Sequence, residues 1–108
     1  LLDEQLGKLL QQAQRLQADM AKAQNELVNK RVEAVVDAGS VRVVANGRQE
    51  IIDIIVDPSI IHPANSRVIQ ELLIKAVNMA LDKSKTLAGQ EMNRVTGGLN
   101  IPNLPGFF

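Results

Sequence analysis

Apolar residues near the start of the chain fall at Leu2, Leu6, Leu9, Ala13, Leu16, Met20, Ala23 and Leu27, in alternating steps of four and three. A stripe with a mean period of about 3.5 is the seam of a coiled coil, because two helices supercoil to keep such a seam in contact. No Pro interrupts the run, its one Gly (Gly7) lies near the start, and Ala, Leu, Gln, Lys and Glu, all good helix formers, dominate it. The pattern predicts a helix over residues 1–30, roughly 42 Å long. A globule of this size has a radius of gyration of only about 13 Å. Part of the helix is therefore expected to project as an arm whose apolar stripe needs a partner. The other reading, an amphipathic helix lying on its own domain, is disfavoured by the narrow seam and the length.

From Arg31 the period switches to two. Val32, Ala34 and Val36 alternate with Glu33, Val35 and Asp37; Ala38-Gly39-Ser40 signals a turn, and a second strand follows from Val41 to Ala45. Asn46-Gly47 predicts a two-residue type I′ hairpin, since both central positions of that turn need positive φ. A third strand is expected from about Arg48 to Val56, giving a three-stranded antiparallel meander over residues 31–57. Strict alternation places Ile52, Ile54 and Val56 on one face and Ile51 and Ile55 on the other, where Val35 and Val44 add to them. A half-exposed sheet would alternate more cleanly. This one calls for cover on both faces, which a second copy could supply.

Asp57-Pro58-Ser59 ends the third strand, because Pro cannot continue the ladder. His62-Pro63-Ala64-Asn65-Ser66 is a short loop in which Asn65 or Ser66 can cap the next helix. That helix is predicted over residues 66–96, with Val68, Ile69, Leu72, Leu73, Ala76, Val77 and Ala80 forming a broad sheet-covering face. Beyond Leu81 the apolar pattern thins, so the second half reads as an extension able to lie against the first helix. Gly97-Gly98 stops it. Residues 97–108, with Pro102, Pro105 and Gly106, read as an extended tail whose Phe107-Phe108 pair is either a hydrophobic latch or a frayed end. The fold class is α+β, in the order α-β-β-β-α, as a single domain over 1–108.

Composition narrows the chemistry. The chain of 108 residues lacks Cys, which excludes disulfides and cysteine-based zinc sites. A core of aliphatic residues in so short a chain is marginal alone, which favours oligomerisation. Neither a membrane-spanning apolar run nor a leader pattern is evident, so a cytoplasmic location is expected, with no membrane partner. His62 is the single His, which forecloses most catalytic triads and reads as a turn residue. No phosphate-cradling glycine motif opens a helix, and Asp53 and Asp57 share a strand face without a third ligand. No enzyme activity, cofactor, metal or small-molecule substrate is expected.

Twelve basic residues balance twelve acidic ones, so any nucleic-acid binding must come from how charge is placed. Lys8, Arg15 and Lys22 recur every seven residues, forming a basic line on the outer side of the first helix. Arg15 with Asp19, Lys22 with Glu26 and Glu26 with Lys30 also read as ordinary i,i+4 pairs on an exposed face. Such pairs contribute only about 0.5 kcal/mol each and are readily exchanged for phosphates. The candidate phosphate contacts are Lys8, Arg15, Lys22, Lys30 and Arg31 from the first helix and its end, with Lys83, Lys85 and Arg94 from the second.

Gly39-Ser40-Val41-Arg42-Val43, Asn46-Gly47 and Ile54-Ile55-Val56-Asp57-Pro58-Ser59 together resemble the sheet of the YbaB/EbfC nucleoid-associated proteins. Ile69-Gln70-Glu71-Leu72-Leu73 with Ala76-Val77-Asn78-Met79-Ala80 is similar to that family's second helix, and Gly97-Gly98 with Pro105-Gly106-Phe107 to its tail. Gln70 stands where an acidic residue is usual, and Met79 where the family has Asp after its Asn. The resemblance implies a tweezers-like homodimer with long helices projecting from a shared β core. It also implies double-stranded DNA as a partner in a bacterial, nucleoid-associated setting, with effects on nucleoid organisation and gene expression. With no aromatic wedge for the duplex, low sequence specificity is expected. The alternative is a protein-interaction or chaperone-like scaffold that clamps other proteins with its helical arms.

Overall fold

The computed structural model describes residues 2–97. It is elongated, 76 × 22 × 19 Å. Helix α1 (Leu2–Glu26) passes into a 3-10 turn at Leu27–Asn29 and then into strands β1 (Arg31–Val36), β2 (Val41–Asn46) and β3 (Ile51–Val56). Two short 3-10 turns, Pro58–Ile60 and Pro63–Asn65, lead to helix α2 (Ser66–Val95). The strands form an antiparallel sheet in the order β1-β2-β3. The α-β-β-β-α order predicted from the change of period is thus the observed one.

Alternation sorts the sheet. Ala34, Val36, Val41, Val43 and Ala45 face α2 and are buried against Ala76 and Ala80, with Val32, Leu72, Leu73 and Val77 packed around them. Alanines at the helix–sheet contact let the two backbones approach closely. Along α2 the buried residues are Ala76, Ala80, Ser84, Ala88 and Met92, one every four positions. The first of these lie on the sheet; beyond Ser84 the stripe runs antiparallel along the end of α1, where Ala23 and Leu27 are buried. Leu16 and Met20 are half-buried, and residues 2–15 are exposed. The inner half of the α1 seam therefore packs on its own chain's α2, and the outer half projects beyond it.

The hairpin between β2 and β3 departs from the two-residue turn. Gly47 does not have positive φ, whereas Gln49 does (φ 63°). The Asn46 N–H donates to the Glu50 carbonyl at 2.9 Å and the Gln49 N–H to the Asn46 carbonyl at 3.4 Å, which closes a three-residue loop. That arrangement is a tight turn followed by a left-handed residue. The glycine is needed for space instead: a Cβ on Gly47 would lie 2.8 Å from the Leu27 carbonyl oxygen and 2.9 Å from its Cδ2. β3 accordingly begins at Ile51, three residues later than expected. A register slip between Val44 and Ala45 sets Ile51 opposite Ala45, so Ile51 is not on the far side that strict alternation assigned to it.

Helix and strand ends follow their local chemistry. The Asp57 carboxylate accepts from the Ser59 N–H at 2.9 Å, with Pro58 next to it, where the strand stops. His62 is a turn residue whose Nδ1 accepts from the Ala64 N–H at 3.1 Å. Asn65 precedes α2 without capping it; its amide donates to the Ile60 carbonyl at 2.8 Å and ties the two 3-10 turns together. Gly97, at φ 67°, ends α2 in the left-handed conformation that glycine tolerates. The predicted tail beyond it lies outside the described residues.

α2 covers β1 and β2 and leaves β3 largely open. Ile51, Ile52, Ile54 and Ile55 are each 37–46% exposed, and Val35 on the outer face is 44% exposed. The sheet is uncovered where the excess of isoleucine called for a partner.

Candidate nucleic-acid interface

Because α1 outruns α2, its outer half has no second element alongside among the described residues. Lys8 and Arg15 sit on that bare stretch, and Lys22 follows where the two helices meet. Of the three i,i+4 pairs read from the sequence, Lys22–Glu26 forms, loosely, at 4.0 Å. Among the described residues no ion pair joins Arg15 to Asp19 or Glu26 to Lys30. The second has a geometric cause. The chain leaves the α-helix at Leu27, and Lys30 is extended (φ −84°, ψ 149°), so Glu26 and Lys30 no longer lie one turn apart.

The other candidates divide by use. Arg31 folds back to donate to the Val28 carbonyl at 2.8 Å and the Lys30 carbonyl at 3.1 Å. Lys83 Nζ donates to the Glu33 carbonyl at 2.8 Å, tying α2 to the outer edge of β1. Arg94 pairs with Glu91 at 2.8 Å. That hydrogen bond holds the Glu91 carboxyl below its ordinary range and raises the Arg94 guanidinium above its own. Asp19, Lys22, Ala23, Glu26, Arg94 and Val95 together line a hollow where α1 and α2 meet. Lys30 and Lys85 are exposed near the base of the arm and on α2. The structure thus brings Lys22 and Arg94 to one junction, sets Lys8 and Arg15 out along the rod, and gives Arg31 and Lys83 structural partners.

Two features escaped the residue pattern. Arg42 pairs with Glu33 across the outer sheet face at 2.8 Å, a contact that needs the strand register to be seen. The buried pair Asn46 and Ser84 fixes the hairpin to α2; its signal was a serine in the four-residue stripe of alanines. Among the described residues, no group of three or more His, Asp or Glu side chains is placed to hold a metal ion. No helix among them is long and apolar enough to cross a membrane.

Comparison with known proteins gives these features a context. A nucleoid-associated protein of Ruminiclostridium cellulolyticum is 43% identical over 103 residues, covering 95% of this chain and 88% of that one. One from Syntrophobacter fumaroxidans is 46% identical over 101 residues, covering 92% of each. The crystal structure of an uncharacterized protein from Helicobacter pylori has the same fold, with a TM-score of 0.66 at 21% identity over 90% of this chain and 96% of that one. The pattern of the YbaB/EbfC DNA-binding family, which is not an enzyme family, matches residues 3–99. The chain belongs to the YbaB/EbfC DNA-binding family.

Proposed function

We propose that this protein is a nucleoid-associated homodimer that holds duplex DNA by its backbone along the projecting arms, with low sequence specificity, and so affects nucleoid organisation and gene expression. The observation that carries the reading is the placement of Lys8, Arg15 and Lys22 on an exposed rod, with Lys30, Lys85 and Arg94 nearer its base. A neutral chain can bind a polyanion through locally exposed cations. Lys8 and Arg15 are in no ion pair among the described residues, on a helix that also carries Asp3, Glu4, Asp19 and Glu26. Dimerisation is supported by the exposed isoleucines of β3, since an open apolar strand is a template for pairing with another chain. The bacterial nucleoid is the compartment in which such a protein acts.

The test is duplex affinity across a salt series, beside the solution mass. Neutralising about four to six phosphates per dimer gives a slope of log K against log[salt] near −4 to −5. A slope near zero removes phosphate contact as the basis of binding.

One observation favours a second reading, a protein-clamping scaffold. Leu2, Leu6, Leu9 and Leu10 on the arm are 56–81% exposed. A pull-down for protein partners run beside a gel shift in physiological salt separates the two.

A further inference from the structure

Over residues 2–15, α1 is exposed, with no other element packed on it among the described residues. Within that stretch Lys8, Gln11, Gln12 and Arg15 stand at i, i+3, i+4 and i+7 and line one open hollow of the surface. At about 100° per residue the four share a sector roughly 100° wide, turned about 120° away from the apolar seam. Glu4 and Asp19, the acids of that face, lie beyond its two ends. Among the described residues no carboxylate is within ion-pair distance of Lys8 or Arg15.

A helix that reads a groove needs polar side chains for base edges and cations for phosphates. A helix with its side chains is about 10–12 Å across, and the major groove is about 12 Å wide. A single rod enters it, whereas a helix pair does not, and α2 has ended before this stretch begins. A glutamine amide carries a carbonyl and an NH2 on one planar group. Adenine presents the complement in the major groove: N6–H to donate and N7 to accept. Lys8 and Arg15, about 10.5 Å apart along the axis, flank the two amides and reach outward to phosphates.

We propose that Gln11 and Gln12 are specificity-determining residues, whose amides engage adenine in the major groove while Lys8 and Arg15 hold the flanking phosphates. The inference rests on the duplex-DNA reading above and narrows it to a mild preference for A·T-containing steps. The expected preference is about tenfold, the low end for one bidentate base contact. It remains small beside the 10³-fold or more that separates specific from non-specific binding in dedicated regulators.

The experiment measures affinity for three duplexes of equal length in one buffer: A·T-rich, G·C-rich, and the A·T-rich duplex carrying 7-deazaadenine, which lacks N7. Each is titrated with the unaltered protein and with Gln11→Ala/Gln12→Ala, whose helicity is checked by circular dichroism. The expected result is an A·T preference of about tenfold that falls to near unity with 7-deazaadenine and in the variant, with the G·C affinity unchanged. A preference that survives both changes belongs to minor-groove shape and overturns the assignment, and so does equal affinity of the unaltered protein for all three duplexes. If no duplex is bound at all, the DNA reading itself falls and takes the assignment with it.

Discussion

The Ser84 hydroxyl donates to the Asn46 carbonyl and accepts from the Gln49 N–H at 2.9 Å, so one side chain on α2 closes the β2–β3 turn. Asn46 completes the turn from within. Its Oδ1 accepts from the Arg48 N–H at 2.9 Å and the Glu50 N–H at 3.1 Å, and its amide donates to Glu50 Oε1 at 2.8 Å. Both residues are buried, and every polar atom of the pair is engaged. The turn is thereby locked to the midpoint of α2, where the helix leaves the sheet and begins to follow α1.

Ser84→Ala removes the hydroxyl and leaves the Gln49 N–H and the Asn46 carbonyl with only their own long contact of 3.4 Å. Loss of a buried partner of this kind costs about 1–3 kcal/mol. Denaturant unfolding at one fixed protein concentration, needed because self-association shifts the midpoint, measures it. A variant as stable as the parent would mean that the turn holds itself without α2.

Gly47 and Gly7 make opposite predictions from the same substitution. A Cβ at Gly47 meets backbone, the Leu27 carbonyl oxygen at 2.8 Å, so Gly47→Ala must push the end of α1 off the hairpin. The expected loss is about 1–3 kcal/mol, the range for overpacking. Nothing lies within 4 Å of a Cβ at Gly7, inside exposed helix. Gly7→Ala is expected to gain up to about 1 kcal/mol from helix propensity. Thermal unfolding of the two variants side by side checks the contrast, which fails if both move the same way.

These two glycines also mark what the residue pattern could and could not reveal. Period and punctuation delivered the element order, the alternation of Val32, Ala34 and Val36 with Glu33 and Val35, and the stop at Gly97, because each depends on local rules. The reason for Gly47 was hidden, since it depends on Leu27, twenty residues earlier, arriving above the hairpin. Likewise, the cations of the arm could be located by spacing alone. That Lys83 and Arg31 serve backbone carbonyls required knowing where β1 lies relative to α2 and how the chain turns at Lys30.

The two sheet edges differ, which bears on assembly. The β1 edge is engaged by Lys83 and overlain by α2, while β3 exposes Ile51, Ile52, Ile54 and Ile55. A second copy is therefore expected to join at β3. Ile54→Lys/Ile55→Lys places charges on both faces of that strand and should convert a dimer to a monomer in sedimentation equilibrium. A monomeric parent protein at micromolar concentration would end the dimer proposal.

Asp57 supplies a pH dependence. Its carboxyl is lowered by hydrogen bonding to the Ser59 backbone N–H first and the Ser59 side chain second. A carboxyl lowered in the folded state contributes stability above its unfolded value, near 3.9, and loses that contribution as pH falls through the folded value. Asp57→Asn keeps a capping oxygen without the charge. The parent is expected to be the more stable at pH 7, with the difference closing below about pH 4. Parallel unfolding curves over that range measure it; a constant difference would assign the effect to shape.

The charge placement on the arm predicts a split between DNA affinity and stability. Among the described residues Lys8 and Arg15 are in no ion pair, and Lys22 is in one loose pair with Glu26 at 4.0 Å. Replacing all three with Gln, a comparable helix former, should move the melting temperature by about 4 °C at most, since an exposed pair contributes about 0–1 kcal/mol. Duplex affinity should fall evenly across sequences, and the salt slope should flatten by two or more, at about one unit per lost phosphate contact. Glu91→Gln works in the reverse direction. It releases Arg94 from its 2.8 Å pair and removes a negative charge beside the arm, so affinity should rise and the slope steepen. If the triple variant binds as tightly as the parent while Glu91→Gln binds tighter, the DNA contact lies with Arg94 on α2 and not along α1.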